Sequence, residues 1–138
     1  MLEATTRTAN ISFDGRILTT ELLEDVVIEI EDVNDNYNIV MDIINADPAK
    51  EKKYVSLVIT AQHNSITKEA REDANKAEKY RYCLAQAIVI KSLATRLLGN
   101  FFIRFAKPNC PQKIFQNRED ALQWLEMQWN SAMDEKAA

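Results

Sequence analysis

The sequence predicts an α/β domain with a mixed, mostly parallel sheet of four to five strands, an N-terminal hairpin and about four helices. Three observations carry this reading. An Asp14-Gly15 turn separates two short β-patterned segments. After it, apolar strand-like blocks alternate with helix-patterned blocks, the signature of strand-crossover-strand units. The stretch Leu84 to Ile90 is apolar apart from Gln86, as expected of a central strand covered on both faces.

In chain order, residues 1–9 show no periodicity and are expected to form a frayed arm. Ile11 to Leu22 reads as two strands joined at Asp14-Gly15, where glycine supplies the positive backbone angle of a tight turn. Val26 to Ile30 is largely β-branched. It leads into an acidic segment with Val33, Tyr37, Val40, Met41 and Ile44 at helical spacing, so a helix is placed from about Glu31 to Asn45. Glu31, Asp32 and Asp35 suit the positive end of its dipole, and Asp47-Pro48 ends it, because a residue before proline resists helical geometry.

Lys50, Lys52 and Lys53 connect into Tyr54 to Thr60, a buried strand by its Val55, Leu57, Val58 and Ile59. A polar loop follows over Gln62 to Ile66. Thr67 then has the residue type and position of an N-cap for a charged, mostly solvent-facing helix, KEAREDANKAEKYR. After the central strand, apolar positions at 93, 94, 97, 98, 101, 102 and 105 predict a third helix with an aromatic face. Pro108 and Pro111 stop it, and Lys113 to Phe115 forms a short strand. Asn117 caps a last helix that turns Leu122, Leu125 and Trp129 inward, flanked by Trp124. The domain is set at 10–132, with a frayed tail over 133–138.

Composition narrows the function classes. With 46% hydrophobic and 28% charged residues over 138 positions, one core is expected. The formal charge of −4 gives no whole-molecule attraction to nucleic acid, so none is expected as a partner. No apolar run approaches the roughly 20 residues that cross a bilayer, and the opening MLEATTRTAN lacks the basic start and apolar block of a secretory signal. A cytoplasmic location follows as the expectation. Cys83 and Cys110, with His63 the one histidine, have no zinc or redox spacing and read as reduced thiols, Cys83 as a small core residue.

The order of these elements, and the string SLATRLLGNFFIRFAKPNCPQKIFQNREDALQWL above all, resembles small bacterial proteins of the STAS type, also labelled SpoIIAA-like or STAS/SEC14-like. These are relatives of the anti-sigma-factor antagonists. The likeness spans roughly Ile11 to Trp129; SITKEAR at Ser65 to Arg71 and RLLGNFF at Arg96 to Phe102 belong to it. The resemblance implies regulation or ligand binding without chemistry. In the antagonists, the strand-to-helix turn in mid-chain carries a serine phosphorylated by a partner kinase, usually in an Asp-Ser-Ser-Gly type sequence. The corresponding loop here is HNSITKEA, with Ser65 and Thr67 as the available hydroxyls and neither the glycine nor the preceding aspartate. The resemblance offers Ser65 and Thr67 as candidate phosphorylation positions, and the plainer reading makes Thr67 a helix cap.

No catalytic residue, cofactor or metal is assigned. Two glycines, Gly15 and Gly99, cannot write a phosphate loop or a dinucleotide fingerprint. A serine relay would have to use His63, which sits in a polar loop two residues from Ser65. The acidic cluster Glu24, Asp25, Glu29, Glu31, Asp32 and Asp35 lacks the glycine and the alternating ligands of a calcium loop, and reads as a solvated helix start. The one feature with functional tension is the face carrying Leu98, Phe101, Phe102 and Phe105, with Arg104 beside it. Covered, it is core. Exposed, it would meet a partner subunit, a hydrophobic ligand or a membrane surface peripherally. The reading is a non-enzymatic STAS-like domain acting through a protein partner or as a homodimer; the alternative is binding or sensing of a hydrophobic small molecule or lipid at the aromatic third helix.

Overall fold

The computed structural model describes residues 2–46, 52–90 and 110–137. Among them, six strands form one mixed sheet: β1 (Leu2–Thr5), β2 (Ala9–Phe13), β3 (Ile17–Leu22), β5 (Tyr54–Ile59), β7 (Cys83–Val89) and β8 (Gln112–Phe115), side by side in that order. The β1–β2 and β2–β3 pairs are antiparallel, and β3–β5, β5–β7 and β7–β8 are parallel. Two short strands, β4 (Val27–Ile28) and β6 (Ser65–Ile66), pair in parallel apart from it. The described helices are α1 (Ile30–Asn45), α2 (Lys68–Ala74) and α3 (Arg118–Ala137), with a single 3₁₀ turn at Ala77–Tyr80. The expected third helix, with Leu98, Phe101, Phe102, Arg104 and Phe105, lies outside the described residues.

The predicted hairpin is present as β2 and β3. Gly15 adopts φ +97°, and the Asp14 carboxylate accepts the backbone N–H groups of Arg16 (2.9 Å) and Ile17 (2.7 Å), which closes the turn. The frayed arm is corrected by the structure, because Leu2–Thr5 pairs with β2 in register Leu2 to Phe13. This strand is held by backbone hydrogen bonds at the sheet edge while Leu2, Glu3 and Thr5 stay exposed, so no apolar alternation betrays it. The tail is likewise ordered: α3 continues to Ala137 through good helix formers.

Side-chain alternation along the strands builds two cores. On one face Val55, Leu57, Ala85, Ala87 and Val89 meet Ala121 and Leu125 of α3, where alanines on both sides permit close approach. Asn117 caps α3, its side-chain oxygen accepting the Asp120 N–H at 2.8 Å. On the other face Ile11, Phe13, Leu18, Tyr54 and Cys83 pack against Val40, Ile43 and Ile44 of α1.

Two buried carboxylates fix the helices. Asp32, read as part of a solvated acidic start, is instead 6% exposed. It accepts the Arg7 Nε–H at 2.9 Å and the Glu29 N–H at 2.8 Å, and forms an ion pair with Arg7, tying the β1–β2 turn to the start of α1. Asp73 ends α2 and binds Lys76 (3.0 Å) and Lys79 (3.5 Å). The sequence reading runs this helix on to Arg81. It stops at Ala74 because Asn75 takes the cap, its N–H reaching Arg71 O at 3.1 Å, while Asp73 gathers the next turn around itself.

Hydrogen bonds from Arg7 and from Lys76 hold the Asp32 and Asp73 carboxyls below the usual carboxylate range, against the opposing effect of burial. A depressed folded pKa stabilises the protein above the unfolded value of about 4 and loses that contribution as pH falls through the folded value. Urea unfolding at neutral pH and at about pH 3 should show a smaller acid loss in Asp32→Asn/Asp73→Asn than in the wild type, with the variant weaker at neutrality; equal pH slopes would refute this. Leu125→Ala, at a fully buried site between α3 and the sheet, should cost about 2–5 kcal/mol in the same assay.

Candidate functional site

A cavity of about 470 Å³ opens between the sheet and the layer formed by α1, α2 and the 3₁₀ turn. Its floor comes from the carboxyl-end halves of three neighbouring strands: Leu22 of β3, Val58 with Thr60 just beyond β5, and Gln86 and Ile88 of β7 with Ile90 just beyond it. Val33 and Tyr37 of α1 form one wall. Arg71 and Ala74 of α2, with Lys79 and Tyr80, form another, and Ile28, Asn64, Ser65 and Ile66 stand at the rim. These positions follow from strand alternation. Val55, Leu57, Ala87 and Val89 face α3, so Val58, Gln86 and Ile88 must face the opposite layer.

The polar groups in the floor and walls are mostly engaged. Ser56 Oγ donates to Gln86 Oε1 at 3.1 Å. Burial pushes the Tyr80 hydroxyl up to about 12, with the Gln112 and Gln86 side chains acting in the other direction. Lys79 Nζ donates to Asn34 Oδ1 at 3.1 Å and lies 4.3 Å from the centre of the Tyr37 ring, so this ammonium is held by α1 as well as by Asp73. The Tyr37 hydroxyl donates to Glu78 O at 3.3 Å.

The rim is built from two cross-linked loops. Asn64 Nδ2 donates to Leu23 O at 2.7 Å, and Asn64 Oδ1 accepts the Ala61 N–H at 2.7 Å. Asp25 and His63 both take φ +59° and lie 2.8 Å apart through Oδ1 and Nδ1. His63 therefore bridges loops at the surface. Ser65 is exposed on β6 beside the cavity, while Thr67 caps α2, its hydroxyl accepting the Ala70 N–H at 3.2 Å.

Several of these residues escaped the sequence reading. It treats the second helix as mostly solvent-facing, yet Ala70 and Asp73 are buried and Arg71 and Ala74 line the cavity. The usable signal was Gln86, the one polar interruption in an otherwise apolar strand. Cys83 and Cys110 meet in the α1-side core, where a hydrogen bond with Cys110 and burial push the Cys83 thiol up, away from a reactive thiolate. Burial likewise drives the neighbouring Tyr54 hydroxyl far above its usual range. Leu98, Phe101, Phe102, Arg104 and Phe105 lie outside the described residues. Among the described residues no group of three or more His, Cys, Asp or Glu is placed to hold a metal ion, and no helix is long and apolar enough to cross a membrane.

A mixed sheet with α3 on one face and the α1–α2 layer on the other places the chain in the SpoIIAA-like class of fold. A crystal structure of an uncharacterized protein of the DUF3478 family with a SpoIIAA-like fold, from Shewanella loihica PV-4, matches with a TM-score of 0.55 at 18% identity, over 88% of this chain and 98% of that one. The chain itself belongs to the family described as "Domain of unknown function (DUF7793)", whose model matches residues 11–128. No curated protein matches it.

Replacing Thr67 by alanine removes the cap and should lower stability by about 1 kcal/mol, whereas Ser65→Ala, at an exposed rim position, should leave it within about 0.5 kcal/mol. Chemical denaturation of the two variants checks this; equal losses would remove the distinction between capping and rim hydroxyls.

Proposed function

We propose that this chain is a non-enzymatic SpoIIAA-like domain that binds a hydrophobic small molecule or the apolar chain of a lipid. The observation that carries the reading is the cavity of about 470 Å³. Its volume falls within the range of small-molecule sites, and it lies at the carboxyl ends of parallel strands, where open α/β sheets receive ligands. Its aliphatic floor of Leu22, Val58, Ile88 and Ile90 offers an apolar ligand burial worth roughly 25 cal/mol per Å². The chemistry of the walls supports binding over catalysis: the lining hydroxyls, amides and cations are groups that orient a ligand, and the Cys83 thiol is turned into the core with a raised pKa.

The reading is tested with the neutral fluorescent probe N-phenyl-1-naphthylamine and with native mass spectrometry of the purified protein. Saturable probe binding is expected, weakened at least about tenfold by Val58→Trp, which fills the floor while the far-ultraviolet circular dichroism stays unchanged. Probe binding that is absent, or indifferent to Val58→Trp, would sink it.

A second reading, protein-interaction regulation through a modified hydroxyl, draws on Ser65. This side chain is exposed in the loop that corresponds by resemblance to the antagonists' phosphoserine, while the Thr67 hydroxyl is engaged as a cap. Phosphate on Ser65 in protein purified from its native cell, with a change in oligomer size or partner capture on Ser65→Asp, would support it. An unmodified Ser65 and no such change would count against it.

A further inference from the structure

Independently of the ligand-binding reading, the geometry points to a modification site in the α1-side core: Cys83 and Cys110 are placed to form a reversible disulfide, with a low-molecular-weight disulfide as oxidant. The two cysteines of the chain are free and far apart in sequence, yet both are buried in one cluster with Tyr54 and Tyr80. The Cys83 thiol is in hydrogen-bond contact with Cys110. Two features of the backbone bring them together. The Gln86 N–H donates to Pro111 O at 2.9 Å, so the chain already runs beside β7 before the β8 pairing begins at Gln112. The β5–β7 register also shifts: Tyr54 pairs with Cys83 and Val55 with Ala85, which leaves Leu84 as an extra residue. Strict alternation would point Cys83 toward α3, as Ala85 does. The extra residue turns it to the α1 side, where Cys110 lies.

Neighbouring strands run roughly 4.8 Å apart, and disulfides join Cα atoms roughly 4.4–6.8 Å apart, so side-by-side chains with thiols in contact suit the bond. The step balances as two thiol–disulfide exchanges. One cysteine loses its proton and attacks the oxidant's S–S bond, forming a mixed disulfide and releasing one small thiol. The second cysteine, deprotonated in turn, attacks the protein-bound sulfur and releases the other small thiol. One S–S bond is exchanged for another, and the protein gives two electrons and two protons to the oxidant. Burial makes the first attack slow, because a buried thiol meets the oxidant only when the core opens. The second is fast, because its target sulfur is already at hand. Proximity in the fold, and not a reactive thiolate, is therefore what favours the bond. The ring it closes holds residues 84–109, with Gln86, Ile88 and Ile90 of the cavity floor inside it.

Equilibration of the native protein with glutathione disulfide and glutathione at a series of ratios decides the matter, read by acid quench, intact mass and peptide mapping. The native protein should lose two hydrogens and retain no glutathione, and the linked peptides should join Cys83 to Cys110. Its equilibrium constant for closure should exceed that of the same chain unfolded in urea by at least about tenfold. By linkage the oxidised protein then unfolds at higher urea than the reduced protein, and dithiothreitol abolishes the difference. Cys83→Ser and Cys110→Ser should each stop at one glutathione on the remaining thiol, the trapped first exchange. Equilibrium is approached both from reduced protein and from protein oxidised in urea and refolded, so that slow access to the core does not pass for an absent bond. Native protein that keeps two free thiols from both directions, holds glutathione on them, links to a second chain, or closes no more readily than the unfolded chain overturns the inference. None of these outcomes touches the ligand-binding reading, which stands or falls on probe binding to the cavity.

Discussion

Strand β7 is the constraint on which the rest of the molecule depends. Parallel neighbours on both sides set its register, with one shift where Tyr54 and Val55 pair with Cys83 and Ala85, and from Ala85 onward successive side chains are committed to alternate faces. Ala85, Ala87 and Val89 go to the α3 side, where small volumes bring the helix close. Gln86 and Ile88 go to the α1–α2 side. A close-packed layer and a hollow one are thus consequences of a single period-two pattern. A slip of one residue would put Gln86 against Leu125 and a row of alanines under the cavity.

Polar fastenings surround the hollow side. Asp32 anchors the start of α1 to Arg7 of the N-terminal meander, while Asp73 locks the end of α2 to the following turn. These two carboxylates tie the ends of the two helices to neighbouring turns through ion pairs and hydrogen bonds. At the rim, Asn64 and the Asp25–His63 pair join the loops after β3 and β5. Asn64 and Lys79 belong to the lining as well as to these fastenings, so the wall of the space and its supports are partly the same residues.

What could be read from the sequence, and what could not, follows from where each signal is written. The hairpin at Asp14-Gly15, strands β5 and β7, and the caps Thr67 and Asn117 are local: each needs a residue type at a fixed offset or a run of alternating or apolar side chains, and each stands in the structure. Strand β1 escaped because edge pairing is made by backbone, which carries no letter. The early end of α2 and the burial of Asp32 escaped because both depend on partners far along the chain, such as Arg7, 25 positions before Asp32. The cavity was the least legible. A hollow belongs to no residue, and its lining is scattered from Leu22 to Ile90 across eight elements and loops. Its charged wall reads, in one dimension, as an ordinary solvated helix.

The paired thiols of Cys83 and Cys110 have a consequence for how this protein breathes. Both are shut inside the α1-side core, so an alkylating reagent in the solvent reaches them only during excursions that part the helix from the sheet. The cavity shares that same helix as its roof. Any occupant that bridges floor and roof makes those excursions rarer, and the pace at which the sulfurs are trapped becomes an internal gauge of occupancy.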